Sequence, residues 1–313
     1  MGLPPASSFV AEPLLIATAA ISIGTVAWLL RRGARGGKGR RWVALGGVGA
    51  LLVAIWFSPV ATVAAHYLLS AHLLQITLLM GAVSPLLLLA LPREPRLSVP
   101  RWLGRALRLL VHPIVAIVAV NAAFFGWHMA APYDESLRNG SVYALQQLTL
   151  LATSLIFWWP IVSPFSPPIR SMSPLGKIGY IVLATIPQTF GGLAVALAHH
   201  VLYPVYALAP RVLGLDVMTD QQIAGASIAL VSKIALFAAF TIIFLRMLEG
   251  SASEPDDGGG GGGGPRVDTP QPKPSGTPRW LDDLNSGRTV REPEPQAPPA
   301  RIRVPAGSGS ARG

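Results

Sequence analysis

Long apolar segments constrain this chain more than any other feature of its sequence. About 20 predominantly apolar residues can cross a bilayer as a helix, and seven segments approach that length. Only 13% of the residues are charged, which is about half the share typical of soluble domains. The sequence therefore predicts an all-α membrane protein, a bundle of seven transmembrane helices, at residues 14–30, 42–57, 67–91, 109–130, 143–163, 178–198 and 223–245. The second span is short and could extend through Ala65, with a bend at Pro59.

Basic residues in the connecting segments predict the orientation of these helices. Fourteen of them fall on one side of the predicted bundle, with six in residues 31–41 and five in residues 93–108. Only Arg138 and Arg211 fall on the other side. Because basic residues accumulate on the cytoplasmic side of membrane proteins, we predict an N-terminus outside the cell and a cytoplasmic C-terminus.

The composition changes after residue 248. Residues 249–313 contain seven consecutive glycines and many prolines. Such a segment cannot bury enough apolar surface to offset its conformational entropy. The sequence thus predicts a seven-helix transmembrane domain over residues 1–248 and a disordered cytoplasmic tail over residues 249–313.

The absence of cysteine limits the chemistry that this chain can perform. Disulfides, thiolate metal sites and a cysteine nucleophile are excluded, so metal binding would have to use His, Met, Asp or Glu. No phosphate-binding loop, serine-hydrolase motif, zinc-protease motif or dinucleotide fingerprint occurs in a suitable context. We therefore predict a non-enzymatic protein whose partners include the lipid bilayer and no nucleic acid.

Five of the six histidines fall at the outer ends of predicted helices. Imidazole is a common ligand for copper and zinc, so a shared membrane level would suit a metal or proton site. The alternative is that these side chains satisfy helix ends and lipid headgroups. The five are His66, His72, His128, His199 and His200.

Several polar side chains lie inside the predicted spans, where such residues usually face the interior of the bundle. Gln75, Asn121, Gln188 and Lys233 could line a polar path, which would favour a copper or proton-linked transporter. Lys233 in the seventh predicted helix also matches the place of a retinal-binding lysine in a rhodopsin. The other predicted spans contain no Asp or Glu that could serve as a counter-ion, which argues against that interpretation. Structural packing is the alternative for each of these residues.

Four segments, taken in order and spacing, resemble a known membrane family, the cytochrome c oxidase assembly factors of the CtaG type. The resemblance covers about residues 10–248. It implies a bacterial plasma-membrane protein that helps to assemble a haem-copper oxidase by helping copper reach its site. The segments are SAHLLQITLLMGAVSPLLLLALP (70–92), FFGWHMAAPYDESL (124–137), FWWPIVSP (157–164) and LYPVYALAPRVLGLDVMTDQQIAG (202–225).

The match to the family's polar elements is partial. His72 and Gln75 match an H-x-x-Q-H element whose second histidine is replaced by Ile76. His128 matches the family's WH element, and Asp220 matches the acid of its DQQ element. The resemblance therefore implies a smaller set of metal ligands in this chain than in the family.

The fifth predicted span departs further from the family. Tyr143, Gln146 and Gln147 stand where the family commonly shows H-x-x-E-H. The leading hypothesis is a factor for cytochrome c oxidase assembly that contacts oxidase subunits and assists copper delivery at the outer membrane face. A transporter and a metal-free scaffold of the same family are the alternatives. The expected metal is copper, and its expected ligands are His72, His128 and Asp220.

Overall fold

The computed structural model describes residues 3–9, 12–32, 38–92, 100–162 and 172–252. The predicted tail beyond Ala252 and parts of the basic connections lie outside these residues, so the division into two parts stays a prediction. Within the described ranges the chain forms helices and no strand. The elements are α1 (Pro13–Arg32), α2 (Lys38–Trp56), α3 (Pro59–His66), α4 (Leu69–Leu78), a π-helical turn (Leu79–Val83), α5 (Ser84–Ala90), α6 (Arg101–Leu110), α7 (Pro113–Trp127), α8 (Ala130–Arg138), α9 (Gly140–Val162), α10 (Pro174–Leu197), α11 (Pro204–Ala207) and α12 (Val217–Ala252).

The helices are long and apolar enough for a multi-pass membrane protein. Five candidate spans are found in the described residues, and the number rises to seven if each of two bent helix pairs forms one span. One pair is α2 with α3, bent by 46°, and the other is α6 with α7, bent by 69°. The all-helical membrane class is therefore confirmed, whereas the count of seven and the orientation stay predictions.

Prolines occur at both bends. Pro59 and Pro113 lie in the first turns of α3 and α7, where a backbone N–H would lack an intrahelical acceptor anyway. A proline also pushes the residue before it out of the helical region, and both Ser58 and His112 have extended backbones. Each bent pair therefore ends one helix and begins the next in a new direction.

Three helices were not expected from the sequence. Residues 101–108 were predicted as part of a basic connection, but the chain forms α6 there. The short helices α8 and α11 lie outside the predicted spans. Counting basic residues locates a connection but carries no information on its local structure, which explains the omission of α6.

Helices α10 and α12 pack closely through glycine. A Cβ atom added to Gly192 would lie 2.8 Å from the carbonyl oxygen of Gly225 and 3.0 Å from the amide nitrogen of Ala229. No side chain larger than hydrogen fits at this crossing without movement of the backbone. Small residues commonly permit such a close approach between transmembrane helices.

The π-helical turn Leu79–Val83 separates α4 from α5. A π-helical turn holds an extra residue and often occurs at functional sites. The Trp158 indole N–H of α9 donates a 2.8 Å hydrogen bond to the Met80 carbonyl in this turn. The Ser84 hydroxyl donates to the Leu79 carbonyl at 3.1 Å. Side chains thus satisfy two of the carbonyls in the irregular turn.

Candidate metal site

Polar and aromatic side chains form a buried group around the first two turns of α4, with contributions from the end of α7, from α8 and from α9. We call this group the His72 cluster. Its members are His72, Gln75, His128, Tyr133 and Tyr143.

His72 lies on α4 and is fully buried, with 0% of its surface exposed. Its ring centroid is 5.1 Å from that of Tyr133 and 6.4 Å from that of Tyr143. The Ala64 carbonyl, which accepts a 2.8 Å hydrogen bond from the Tyr206 hydroxyl, also lies near the His72 ring. Within the described part of the chain neither ring nitrogen of His72 makes a well-formed hydrogen bond. Buried polar atoms normally have partners, so this imidazole is a candidate ligand.

His128 follows α7 directly as its C-terminal cap. Its Nδ1–H donates a 2.6 Å hydrogen bond to the Phe124 carbonyl, which places the proton on Nδ1 and leaves the lone pair on Nε2. That Nε2 atom is buried and has no hydrogen-bond partner among the described residues. Metal-binding histidines usually show this arrangement, with one ring N–H on a carbonyl and the other nitrogen on the metal. The His128 ring centroid is 5.8 Å from that of Tyr133, so both histidines contact the same tyrosine.

Polar side chains of α4 and α9 meet at this cluster. Gln75 Nε2 donates a 2.6 Å hydrogen bond to the Tyr143 hydroxyl. Trp56 Nε1 donates at 3.1 Å to Gln147 Oε1. Both amide atoms of Gln146 are buried and lack partners among the residues that the structure describes. The two polar elements, which the sequence separates by about 70 positions, therefore lie side by side.

Asp220 of α12 binds the first turn of α4. Its Oδ2 atom accepts a 2.8 Å hydrogen bond from the Leu69 amide, and Oδ1 accepts a 3.0 Å bond from the Ser70 amide and another from the Ser70 hydroxyl. A carboxylate at a helix N-terminus satisfies N–H groups that have no intrahelical acceptor and interacts favourably with the helix dipole. Asp220 thereby fixes the turn that leads into His72. Its predicted role as a metal ligand stays a prediction.

Gln221 extends this attachment to the segment before α11. Its Oε1 accepts a 2.8 Å hydrogen bond from the Leu202 amide. Its Nε2 donates at 3.0 Å to the His200 carbonyl. Asp220 and Gln221 together therefore link α12 to α4 and to the chain near residue 200.

Two tyrosines that were not among the predicted site residues pack against the His72 cluster. Tyr203 donates a 2.9 Å hydrogen bond to the His128 carbonyl, and its ring centroid is 4.4 Å from that of Tyr133. The Tyr206 hydroxyl is 3.3 Å from that of Tyr133. Both residues belong to the LYPVY segment that contributes to the family resemblance. The sequence therefore singled out this segment, but it could not show that Tyr203 and Tyr206 pack against the His72 cluster.

The other predicted histidines differ in their exposure. His66 is half-buried, whereas His199 and His200 are exposed. No group of three or more His, Asp or Glu side chains in the described ranges could hold one metal ion. The structure thus brings His72 and His128 into contact with the same tyrosine. A metal site at this position would have these two imidazoles as its nitrogen ligands.

A cavity of about 40 Å³ lies between α4, α7, α9, α10 and α12. Gln188 lines it together with Thr185. Asn121 lies nearby and donates hydrogen bonds to the carbonyls of Ile117 at 2.9 Å and Ala184 at 3.4 Å, and Lys233 is half-buried in α12. A space of about 10–15 Å³ can accommodate a water molecule, so this cavity is large enough for water beside Gln188.

Apolar helices surrounding buried imidazoles and amides define a polytopic membrane protein with an internal polar site. The model of the cytochrome c oxidase caa3 assembly factor (CtaG) family matches residues 24–250. The chain therefore belongs to this family of cytochrome c oxidase assembly factors, which confirms the resemblance found in the sequence. No curated protein and no solved structure matches the chain significantly.

Proposed function

We propose that this protein is a non-catalytic factor of the bacterial plasma membrane that helps to assemble cytochrome c oxidase by handling copper at the outer face. Membership of the family supports the assembly role, and oxidase subunits are the proposed partners. The copper part rests on one observation. His72 and His128 contact the same buried tyrosine, and neither ring nitrogen of His72 nor Nε2 of His128 makes a well-formed hydrogen bond in the described chain.

The donor atoms of this pair suit Cu(I). Imidazole nitrogen is a good ligand for copper, and Cu(I) accepts as few as two or three ligands. His128 offers Nε2, because its Nδ1–H is held by the Phe124 carbonyl. Asp220 supports copper binding indirectly, by holding the first turn of the helix α4 that carries His72. Direct binding to metal would require its carboxylate to release the hydrogen bonds that it accepts from Leu69 and Ser70.

Replacing both His72 and His128 by alanine is expected to lower the affinity of the purified full-length protein for Cu(I) by at least about tenfold. The reason is that the two imidazoles supply the nitrogen ligands of the proposed site. A titration in competition with a chromophoric Cu(I) chelator measures the change. In cells, the same double variant is expected to reduce the copper content of the resident oxidase.

The matched control is His112→Ala, which removes an exposed imidazole before α7 and should leave Cu(I) affinity unchanged. Wild-type affinity in the double variant would reject the histidine pair as the site. If the wild-type protein binds no Cu(I) while oxidase assembly still depends on it, the metal-free scaffold is the better function.

A copper or proton-linked transporter is the second candidate. The observation in its favour is the cavity that Gln188 lines between α4, α7, α9, α10 and α12. Transport requires this cavity to connect with both membrane faces, whereas copper handling at the outer face requires only the His72 cluster. Copper entry into sealed vesicles therefore distinguishes the two functions.

The proposed orientation can be tested with single cysteines, because the chain has no native cysteine. A cysteine at Asn139, which is exposed after α8, should react with a membrane-impermeant thiol reagent in intact cells. A cysteine at Ser98 or Ser275 should be protected until the membrane is opened, because both positions are predicted to be cytoplasmic. Labelling at Ser275 together with protection at Asn139 would reverse the topology.

A further inference from the structure

Helix α6 has two chemically different faces. Arg101, Arg105 and Arg108 are spaced by four and three residues, so they lie on one side of a helix with about 3.6 residues per turn. Trp102 and Leu109 lie on other sides, together with the remaining leucines. Such a separation of basic and apolar side chains is typical of helices that lie in a membrane interface.

The described part of the protein does not cover the apolar face of α6. None of its residues is buried, and the exposed fractions are 69% for Trp102, 66% for Leu109 and 44% for Leu107. Many of the exposed apolar side chains elsewhere lie on candidate membrane spans such as α1, α10 and α12. Since α6 has only ten residues, it cannot cross a bilayer of about 30 Å by itself.

The bend before α7 orients this helix. The axes of α6 and α7 differ by 69°, and transmembrane helices tilt from the bilayer normal by about 20° on average. If α7, the central part of the predicted span 109–130, crosses the membrane near the normal, α6 lies close to the membrane plane. In that position its apolar side enters the acyl region while the arginines remain at headgroup level.

We propose that α6 is an interfacial helix that binds anionic phospholipid headgroups through Arg101, Arg105 and Arg108. Guanidinium groups form paired hydrogen bonds with phosphate oxygens, and three of them on one face create a concentrated positive charge. The predicted cytoplasmic location agrees with this ligand, because anionic lipids give the cytoplasmic leaflet its negative surface potential. The proposal is independent of copper binding.

The experiment compares the lipids that the full-length protein retains from mixed micelles containing equal amounts of phosphatidylglycerol and phosphatidylcholine. Native mass spectrometry counts the bound lipids. The wild-type protein should retain mainly phosphatidylglycerol, and each arginine replaced by glutamine should lower that preference by about fivefold. The preference should also weaken as salt is added, since headgroup charges are screened.

The control is Arg138→Gln in α8, which removes a side chain that is 68% exposed and lies outside α6 and should not alter the preference. Equal retention of both lipids by the wild type would overturn the proposal. An unchanged lipid preference in the folded variant with all three arginines replaced by glutamine would also overturn it. If that triple variant does not fold, Arg105→Gln alone supplies the comparison. Loss of a co-purifying oxidase subunit with no change in lipid preference would assign the arginines to a protein partner and would also overturn it.

Discussion

Replacing Gly225 by alanine is expected to destabilise the folded protein by about 3 kcal/mol. A Cβ atom at this position would meet the Gly192 carbonyl oxygen at 2.5 Å and the Ala196 Cα at 2.8 Å. Backbone atoms cannot rotate away as a side chain can, so α10 and α12 must separate. Thermal unfolding of the detergent-purified protein measures the loss.

Gly179→Ala provides the matched control, because it lies on α10, the other helix of the packed pair, and its added Cβ would have nothing within 4 Å. Alanine is favoured over glycine inside helices by about 1 kcal/mol, so this variant should be neutral or slightly more stable. Wild-type stability in Gly225→Ala would show that the two backbones are farther apart than the structure places them.

Asp220→Ala is expected to lower stability by about 3 kcal/mol, because the buried amides of Leu69 and Ser70 lose their acceptor together. The same change should weaken Cu(I) binding, since the first turn of α4 carries His72 into place. Chemical denaturation measures the first effect and chelator competition the second. Asp220→Asn keeps one carbonyl oxygen and should give a smaller loss of stability.

Asp216 offers a comparison at an exposed helix start. Its carboxylate accepts hydrogen bonds from Thr219 and Met218, and the Thr219 bonds lower its pKa below the usual value. Asp216→Ala should therefore cost less stability than Asp220→Ala, because water can replace the lost acceptor. Its contribution is present above the unfolded-state pKa and is lost as the pH falls through the lowered folded-state pKa. A larger loss for Asp216→Ala would contradict the importance assigned to Asp220.

The sequence predicted the long helices well because crossing a bilayer requires an extended apolar run. The predicted spans 143–163 and 178–198 correspond to α9 and α10, which differ from them by a few residues at each end. The proline bend in the second span was also anticipated at Pro59. The helix α6 was missed because its apolar residues are too few to form a span and its arginines were interpreted only as a count of charge.

The site was harder to predict, because its contacts join distant parts of the chain. His72 and His128 were selected from their residue type and predicted depth, and the structure places both against Tyr133. Asp220 was selected as a ligand, yet its hydrogen-bond partners on α4 are 150 residues away. Apolar periodicity indicates which residues lie in the membrane but not which polar side chains meet there.

The π-helical turn Leu79–Val83 rotates α5 about the helix axis relative to α4, although both helices belong to one candidate membrane span. Each residue of an α-helix advances by about 100°, so one extra residue turns everything beyond it by roughly that angle while lengthening the crossing very little. Before the turn, His72 and Gln75 face the polar cluster; beyond it, Leu88 packs with the aromatic core of α9 and α10. The π-helical turn therefore lets α4 direct His72 and Gln75 to the polar cluster while α5 directs Leu88 to the aromatic core. An uninterrupted α-helix would point Leu88 in a different direction. The hydrogen bond from Trp158 to the Met80 carbonyl lies at the turn where the helix rotates.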